Sequence, residues 1–200
     1  MELYQILALI AGAFNGYAFW LYNKGIFKGN ADTNPNGATW FLWALITIVQ
    51  AKSYDAMGAD WTEVAVMATD SSLCFITFVF LFYKRKLAKL NSFSRVIIVL
   101  AIGAFILWQT TSAVNGNIMS QVPYAMAFWP TIKDAWDGAT KENPKVWLIF
   151  TLSFALSVAV LYLKGAIDPW KYLFPAVAIG MHAVLAYVAF HRRRYPIRKT

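Results

Sequence analysis

Two ionisable side chains stand inside long apolar stretches of the sequence. Asp70 lies in MATDSSLCF and His182 lies in IGMHAVLAY. An ionisable group within a bilayer costs several kcal/mol, so such residues are rare there and typically mark a site for a solute or a proton. A carboxylate at such a place favours either a cationic solute or a proton that travels with a neutral one. We therefore predict that Asp70 and His182 contribute to a binding site.

Each of these two residues also has a structural interpretation. Asp70 would form an ion pair with Lys52, which the sequence predicts at comparable depth in the neighbouring helix. His182 would make a hydrogen-bonded contact between helices, a use of histidine that other membrane proteins show. The binding interpretation predicts a polar cavity around the two residues, whereas the structural one predicts a packed, dry interior.

Aromatic and amide side chains extend the candidate site. Tyr54 and Tyr162 are 108 residues apart, and a pair of flat rings can clamp a sugar, a nucleoside or another heterocycle by stacking. Aromatic residues at helix ends are also common anchors at the membrane interface. Two amides, of Asn15 and Gln121, are predicted to face the same cavity. The predicted substrate-binding set is Asn15, Tyr54, Asp70, Gln121, Tyr162 and His182.

The sequence lacks the patterns that are typical of enzymes and metalloproteins. It has no cluster of His, Cys and Asp at zinc-binding spacing and no glycine-rich phosphate-binding loop. The hydroxyls of SSLC follow Asp70 directly, but a nucleophile needs a base beside it, and the spacing predicts none. We therefore expect a protein that is not an enzyme, with no catalytic residue, no metal and no cofactor.

Seven apolar stretches must position these residues. Hydrophobic residues make up 59% of the 200-residue chain and charged residues 14%, well below the roughly 25% charged residues of globular domains. The length of the stretches is typical of transmembrane helices. They cover residues 3–22, 38–55, 62–83, 94–113, 117–133, 145–163 and 170–190. The predicted fold is an all-α integral membrane protein with seven transmembrane helices.

The basic residues divide unevenly between the two predicted faces of this bundle. Fifteen lysines and arginines fall on one face, and only Lys52, Lys164 and Lys171 fall on the other. The positive-inside rule then places the N-terminus outside and the C-terminus in the cytoplasm. The expected location of the protein is the cell membrane. The net charge of +8 thus orients the chain and favours contact with anionic lipid rather than with nucleic acid.

Parts of the sequence repeat at an interval of 109 residues. The triplet AFW occurs at 18–20 and 127–129, the dipeptide NP at 34–35 and 143–144, and Trp61 matches Trp170. The pattern predicts a first three-helix repeat unit (1–90), a linking transmembrane helix (91–115), and a second three-helix unit with a basic cytoplasmic tail (116–200). The linking helix makes the two units parallel, a repeat class of secondary transporters whose solute site lies between the halves.

This three-one-three order, over essentially the whole chain, resembles the SWEET and PQ-loop (MtN3-like) superfamily of small-solute transporters. The family's hinge proline matches Pro123 in SQVPYAMAF, Phe14 stands at the corresponding place in the first unit, and the PQ dipeptide is absent from both. The resemblance implies that Asp70 lies where the family has a solute-binding asparagine. It also implies hinge motion, for which the candidate positions are Gly12, Gly16 and Pro123.

The expected function is a SWEET-like transporter that moves a small polar solute by alternating access through a central site. The solute classes left open are a sugar, a vitamin- or nucleoside-like molecule, and a cationic metabolite. Two alternatives also stay open: a membrane receptor or scaffold without a transport cycle, and a PnuC-type vitamin transporter. The expected partners are the solute and the lipid bilayer but not nucleic acid, and the sequence is compatible with a homo-oligomer.

Overall fold

The computed structural model describes residues 1–27, 37–84 and 92–195, and within these ranges the chain is helical apart from short connections. The seven helices are α1 (Leu3–Phe27), α2 (Gly37–Ala56), α3 (Trp61–Tyr83), α4 (Ser92–Thr110), α5 (Ala113–Trp136), α6 (Pro144–Leu163) and α7 (Trp170–Arg194). Some residues used in the sequence predictions lie outside the described residues: Lys28, Asn34, Pro35, Arg85, Lys86, Lys89, Arg198 and Lys199.

Short polar side chains begin several of these helices, and glycines follow three of them. Asp60, Ser112 and Asn143 each accept hydrogen bonds from backbone N–H groups of the following first turn, which have no partner within the helix. Gly58 follows α2 with φ +72°, Gly138 follows α5 with φ +73° and Gly165 follows α6 with φ +70°. This left-handed conformation carries a steric penalty for residues with a Cβ atom, so glycine is favoured where the chain leaves each helix.

Five of the seven helices are long and apolar enough to cross a membrane: α1, α3, α4, α6 and α7. Helices α2 and α5 are more polar, since α2 contains Gln50 and Lys52 and α5 contains several amides and hydroxyls. Large apolar side chains also cover much of the outside of the bundle, among them Val79, Phe82, Val99, Ile106 and Leu148. An apolar exterior of this kind fits a protein surrounded by lipid.

The helices pack in a regular order. Helix α3 contacts both α1 and α2, and in the same way α7 contacts both α5 and α6. The two groups of three helices meet through α1 against α6 and α5 against α2, and through a smaller contact between α3 and α6. Helix α4 lies on the outside, against α5 and α2. Residues on the inner faces of six helices therefore share one interior.

Corresponding helices of the two groups bury corresponding positions. In α1 and α5 the buried residues are 109 apart, as for Asn15 and Tyr124 or Phe19 and Phe128. In α2 and α6 the interval is 107, and in α3 and α7 it is 108. Examples of these two intervals are Trp40 with Trp147, Trp43 with Phe150, Asp70 with Ala178, and Cys74 with His182. The interval thus changes by one or two residues from one helix pair to the next.

The predicted hinge positions lie in uninterrupted helices. Gly12 and Gly16 are in the middle of α1, and a Cβ atom added at Gly16 would meet nothing within 4 Å. Pro123 is buried in α5, where Pro130 follows two turns later. A proline within a helix removes one backbone hydrogen bond, so α5 is locally weaker than α1 at these points. Hinge motion at these residues stays a prediction.

Candidate functional site

A small cavity lies in the shared interior, between the two groups of three helices. Its aromatic lining comes from Phe19, Trp40 and Trp43 on one side and from Phe128, Trp147 and Phe150 on the other. Its remaining lining residues are Asp70, Cys74, Tyr124 and His182. The cavity volume is about 10 Å³, close to the space that one water molecule needs. We call this cavity, with its lining residues, the central chamber.

Asp70 reaches the central chamber from α3, and among the described residues it has no charged partner. Its side chain is buried, and its Oδ1 atom accepts a long hydrogen bond of 3.5 Å from Nδ2 of Asn15. The Sγ atom of Cys74, one turn later on α3, lies 4.0 Å from Oδ2. Lys52 is exposed on α2, and in the described part of the chain no lysine or arginine forms a salt bridge with Asp70. The ion pair with Lys52 that the structural interpretation required is therefore wrong.

His182 enters the central chamber from α7, on the side opposite α3. Its Nδ1 atom lies 2.7 Å from the carbonyl oxygen of Ala178. Because a carbonyl can only accept, Nδ1 carries the proton, and in the neutral ring Nε2 keeps its lone pair. The ring packs against those of Phe128, Phe150 and Phe154, with centroid distances of 5.0, 5.2 and 5.2 Å. The two ionisable residues that the sequence singled out therefore line one cavity.

Several buried polar atoms near the chamber have no hydrogen-bond partner within the described residues. Among them are Oδ1 of Asn15 and Nε1 of Trp43, both on residues in or beside the chamber. Buried polar atoms are nearly always paired, so unpaired ones require an explanation such as a bound water or ligand. Asn15, which the sequence predicted to be a site residue, thus lies beside Asp70, and its Oδ1 atom has no hydrogen-bond partner among the described residues.

Gln121, by contrast, belongs to a group of amides next to the chamber. Its Nε2 donates to the carbonyl and the Oδ1 of Asn117, both at 2.9 Å. Its Oε1 accepts from Nε2 of Gln50 at 3.4 Å, and Asn117 in turn donates to the carbonyl of Trp170. The hydrogen bonds of Gln121 are therefore directed to α2 and α5, and the residue is not among those that line the central chamber.

The two tyrosines predicted as a ring clamp are not brought together. Tyr54 is buried against Phe174, and its hydroxyl donates to the carbonyl of Lys171. Tyr162 is 76% exposed, because the buried residue of α6 at that level is Leu161. Neighbouring residues of a helix point about 100° apart, so a shift of one position turns a side chain out of the interior. The predicted clamp by Tyr54 and Tyr162 is therefore wrong.

One end of the bundle is closed by ion pairs, and we call it the Glu63 end. The carboxylate of Glu63, at the start of α3, is buried and contacts Nζ of Lys164 at 2.7 Å and Nζ of Lys171 at 2.6 Å. Asp60 also pairs with Lys164. Burial acts to raise the pKa of Asp60, but hydrogen bonds from Lys164 and Thr62 outweigh it and lower that pKa to about 2. These contacts tie the start of α3 to the end of α6 and the start of α7.

At the opposite end, which we call the Glu142 end, the described residues bury one carboxyl. Glu142 lies in the connection between α5 and α6, and its oxygens accept from Nε1 of Trp147 at 3.1 Å and from the hydroxyl of Tyr22 at 3.5 Å. That hydroxyl accepts from Nε1 of Trp40 at 3.4 Å. Burial raises the pKa of Glu142 to about 8, although the hydrogen bonds from Trp147 and Tyr22 oppose the rise.

Neither end was predicted from the sequence. Glu63, Lys164 and Lys171 stand at helix ends and in a connection, where charged residues are usually solvated. Glu142 stands in the polar stretch ATKENPK. The available signal was weak: a carboxylate in the first turn of one helix, and two lysines on either side of a short connection elsewhere. Over residues 1–27, 37–84 and 92–195, no group of three or more His, Cys, Asp or Glu residues could hold a metal ion.

The all-helical architecture, the five helices long enough to cross a membrane and the apolar exterior are those of a helical membrane protein. Comparison of the chain with protein-family models, with curated proteins and with solved structures finds no significant match. The resemblance to the SWEET and PQ-loop superfamily therefore stays a prediction from the sequence. Roles for individual residues must come from the geometry of this chain alone.

Proposed function

We propose that this chain is a SWEET-like transporter that moves a small polar solute by alternating access. The observation that carries the proposal is the central chamber, which places Asp70 and His182 between two groups of three helices. A buried carboxylate without a charged partner is costly in a membrane protein, so it is expected where it binds a solute or a proton. The aromatic rings around it supply the faces on which a solute can pack.

The helix packing supports a parallel repeat. The first and second helices of each group contact the third, and α1 packs against α6 as α5 packs against α2. Matching positions are buried in α1 and α5, in α2 and α6, and in α3 and α7. Two parallel three-helix units joined by α4 would give this pattern, with all seven helices spanning the cell membrane. Such repeats place the solute site at the interface between the units.

The two closed ends support a transport cycle. With the N-terminus outside, as the charge distribution predicts, the Glu63 end faces outward and the Glu142 end faces the cytoplasm. Alternating access requires a barrier on each side of the site, and the two barriers must open in turn. Opening the outer one would separate Glu63 from Lys164 and Lys171, and opening the inner one would withdraw Glu142 from Tyr22. Gly12, Gly16 and Pro123 are the proposed hinges.

Uptake into liposomes tests the proposal. Purified protein is reconstituted and offered a panel of labelled sugars, nucleosides, amino acids and amines. We expect one class to accumulate, and Asp70→Asn to slow its uptake by about tenfold or more, since loss of a buried charge partner is worth 2–5 kcal/mol. The matched control is Asp55→Asn, the same change at an exposed carboxylate. If no solute moves, or if both variants behave alike, the proposal fails.

A receptor or scaffold is the second candidate, and the size of the cavity favours it. A volume of about 10 Å³ leaves no space for a solute in this conformation. Cys74 distinguishes the two candidates, because it is the single cysteine of the chain and lines the chamber. A transporter that cycles exposes Cys74 to thiol reagents added from either side of the membrane, and a transported solute protects it. A static scaffold leaves Cys74 unlabelled until the protein unfolds.

A further inference from the structure

The polar atoms of the central chamber are mostly acceptors. The carboxylate of Asp70 receives only a 3.5 Å hydrogen bond from Asn15 and a 4.0 Å contact from Cys74. Oδ1 of Asn15 has no partner among the described residues. His182 uses its N–H on the carbonyl of Ala178, which leaves Nε2 as an acceptor in the neutral ring. A ligand that satisfies this set must bring donors.

Besides the hydroxyl of Tyr124, which lines the chamber and can donate, the described residues supply one unpaired donor beside these acceptors. It is Nε1 of Trp43, a buried N–H without a partner in the described part of the chain. The lining contains no lysine or arginine. A carboxylate or phosphate ligand would therefore meet the Asp70 carboxylate with no cationic side chain in the lining to offset the repulsion between them. The lining therefore disfavours the binding of anions.

The aromatic faces of the chamber favour positive charge. Trp43 lies 4.5 Å from Phe128 and 6.0 Å from Trp147, measured between ring centroids. Phe150 is 5.6 Å from Trp147 on the same helix. Because Trp43 belongs to the first group of helices and the other three rings to the second, rings from both groups surround the space. The face of an aromatic ring attracts cations, most strongly when water is excluded. A carboxylate within an aromatic cage is a general arrangement for binding an organic cation.

We propose that the central chamber selects a small organic cation that donates N–H hydrogen bonds, a primary or secondary ammonium compound. The inference rests on the proposed transport function and names its substrate class. Asp70 neutralises the charge, Asn15 and His182 accept further N–H groups, and the aromatic rings enclose the methylene carbons. A fully methylated ammonium ion carries the same charge without donors, so it leaves the acceptors unpaired and binds more weakly. The small cavity restricts the choice to short molecules that spread the side chains apart on entry.

Binding is measured in detergent through the fluorescence of the chamber tryptophans, separately from transport. Ethanolamine is the positive probe, choline its fully methylated analogue, glycerol a neutral probe and acetate an anionic one. We expect ethanolamine to bind at least about tenfold more tightly than choline or glycerol, which corresponds to the loss of one or two hydrogen bonds to a charged group. Acetate should give no change.

Three variants locate the effect. Asp70→Asn should weaken ethanolamine binding by about tenfold or more. Asp70→Glu keeps the charge and should retain most of the affinity, which separates loss of charge from loss of folding. Asp55→Asn, at an exposed position, should bind like the unaltered protein. If Asp70→Glu binds as weakly as Asp70→Asn while both remain folded and monodisperse, the proposed role of the charge is overturned.

The outcomes also separate this inference from the transport proposal. Ethanolamine binding without uptake into liposomes supports the cation site and overturns transport. Uptake of a neutral sugar with no preference for ethanolamine keeps transport and overturns the cation site. Tighter binding of choline than of ethanolamine overturns the role assigned to the N–H donors. Failure of every probe to change the fluorescence overturns the cation site as a whole.

Discussion

Both ends of the helix bundle bury a glutamate, and they differ in what holds it. Glu63 is held by the ammonium groups of Lys164 and Lys171. Glu142 is held by an indole N–H and a phenol, which are neutral donors. Two opposite charges stabilise each other in their ionised forms, whereas a buried carboxyl among neutral groups is more stable when it is protonated. The same residue type therefore makes two closures with different chemistry.

This difference makes opposite predictions for the two ends as the pH changes. At the Glu63 end the pKa of Asp60 is lowered to about 2 and that of Lys164 is raised, so the ion pairs persist across the neutral range. At the Glu142 end the pKa is about 8, so the carboxyl loses its proton within that range. If the two ends are the barriers of a transport cycle, the inner barrier responds to protons and the outer one does not.

The first expected effect is at the Glu63 end. Glu63→Gln leaves the ammonium group of Lys171, whose side chain is only 14% exposed, without its carboxylate partner, which we expect to destabilise the protein by about 3 kcal/mol. The measurement is thermal or denaturant unfolding in detergent at neutral pH. Glu2→Gln, the same change at an exposed residue, is the control and should leave the unfolding curve unchanged.

A second substitution at this end sharpens the comparison. Lys171→Met removes the stranded charge and should recover part of the stability lost in Glu63→Gln, so the two changes are not additive. Additive losses in the double variant would show that the two side chains do not stabilise each other. A Glu63→Gln protein as stable as Glu2→Gln would remove the ion pairs from the description of this end.

The next effect is the pH dependence that Glu142 imposes. Its pKa is about 8 in the folded protein and close to 4.5 when unfolded, so between these values the folded state holds a proton that the unfolded state has released. Stability therefore falls as the pH rises from about 4.5 to about 8, by up to about 1.4 kcal/mol per pH unit. Glu142→Gln cannot titrate and should remove this slope while keeping the hydrogen-bond acceptor.

Unfolding measured from pH 5 to pH 9 checks this expectation. At pH 5 the protein and its Glu142→Gln variant should be similar, and at pH 9 the variant should be the more stable of the two. Asp137→Asn, an exposed change near the end of α5, should keep the slope of the unaltered protein. Parallel pH profiles for all three proteins would contradict a neutral, buried Glu142.

A smaller effect distinguishes the tyrosines of the two ends. The hydroxyl of Tyr54 donates to the carbonyl of Lys171 at 2.5 Å, so Tyr54→Phe leaves a carbonyl unpaired and should cost about 1 kcal/mol. The hydroxyl of Tyr22 makes two long contacts, of 3.4 and 3.5 Å, so Tyr22→Phe should cost about half as much or less. Unfolding at pH 6 compares them, and a larger loss for Tyr22→Phe would reverse the ranking.

The central chamber could be predicted from the sequence far better than the two ends. Asp70 and His182 stand out because an ionisable residue in an apolar stretch is exceptional, and that cost holds whatever the helices pack against. Glu63 and Glu142 do not stand out, because charged residues at helix ends are ordinary and become buried only through contacts with distant parts of the chain. The partner of Glu63, Lys171, is more than a hundred residues away.

Tyr162 shows a different reason for failure. The pairing with Tyr54 assumed an interval of 108 residues, but the buried positions of α2 and α6 are 107 apart. The interval differs between helix pairs because the connections of the two groups differ in length. A change of one residue rotates the side chain by about 100°, which here separates a buried tyrosine from an exposed one. An error of one residue leaves the prediction of seven helices intact, but it places a predicted site residue on the wrong face of its helix.

The smallest expected effect is the loss of the Asp60 charge at the Glu63 end. Asp60 caps α3 through its side-chain oxygen, and asparagine caps a helix about as well as aspartate. Asp60→Asn therefore removes the charge that pairs with Lys164 and keeps the cap. Because the side chain of Asp60 is 47% exposed, water screens the pair, and its loss should cost about 0.5 kcal/mol at neutral pH.

This difference should disappear in acid. The folded pKa of Asp60 is about 2 and the ordinary value is 3.8, so its contribution is present above pH 3.8 and is lost as the pH falls through about 2. Unfolding midpoints of the unaltered protein and of Asp60→Asn should differ at pH 6 and converge near pH 2. A difference that persists at pH 2 would assign the effect to the cap rather than to the charge. The Glu63 end would then owe its stability to Glu63 alone, and the contrast with Glu142 would rest on one carboxylate at each end.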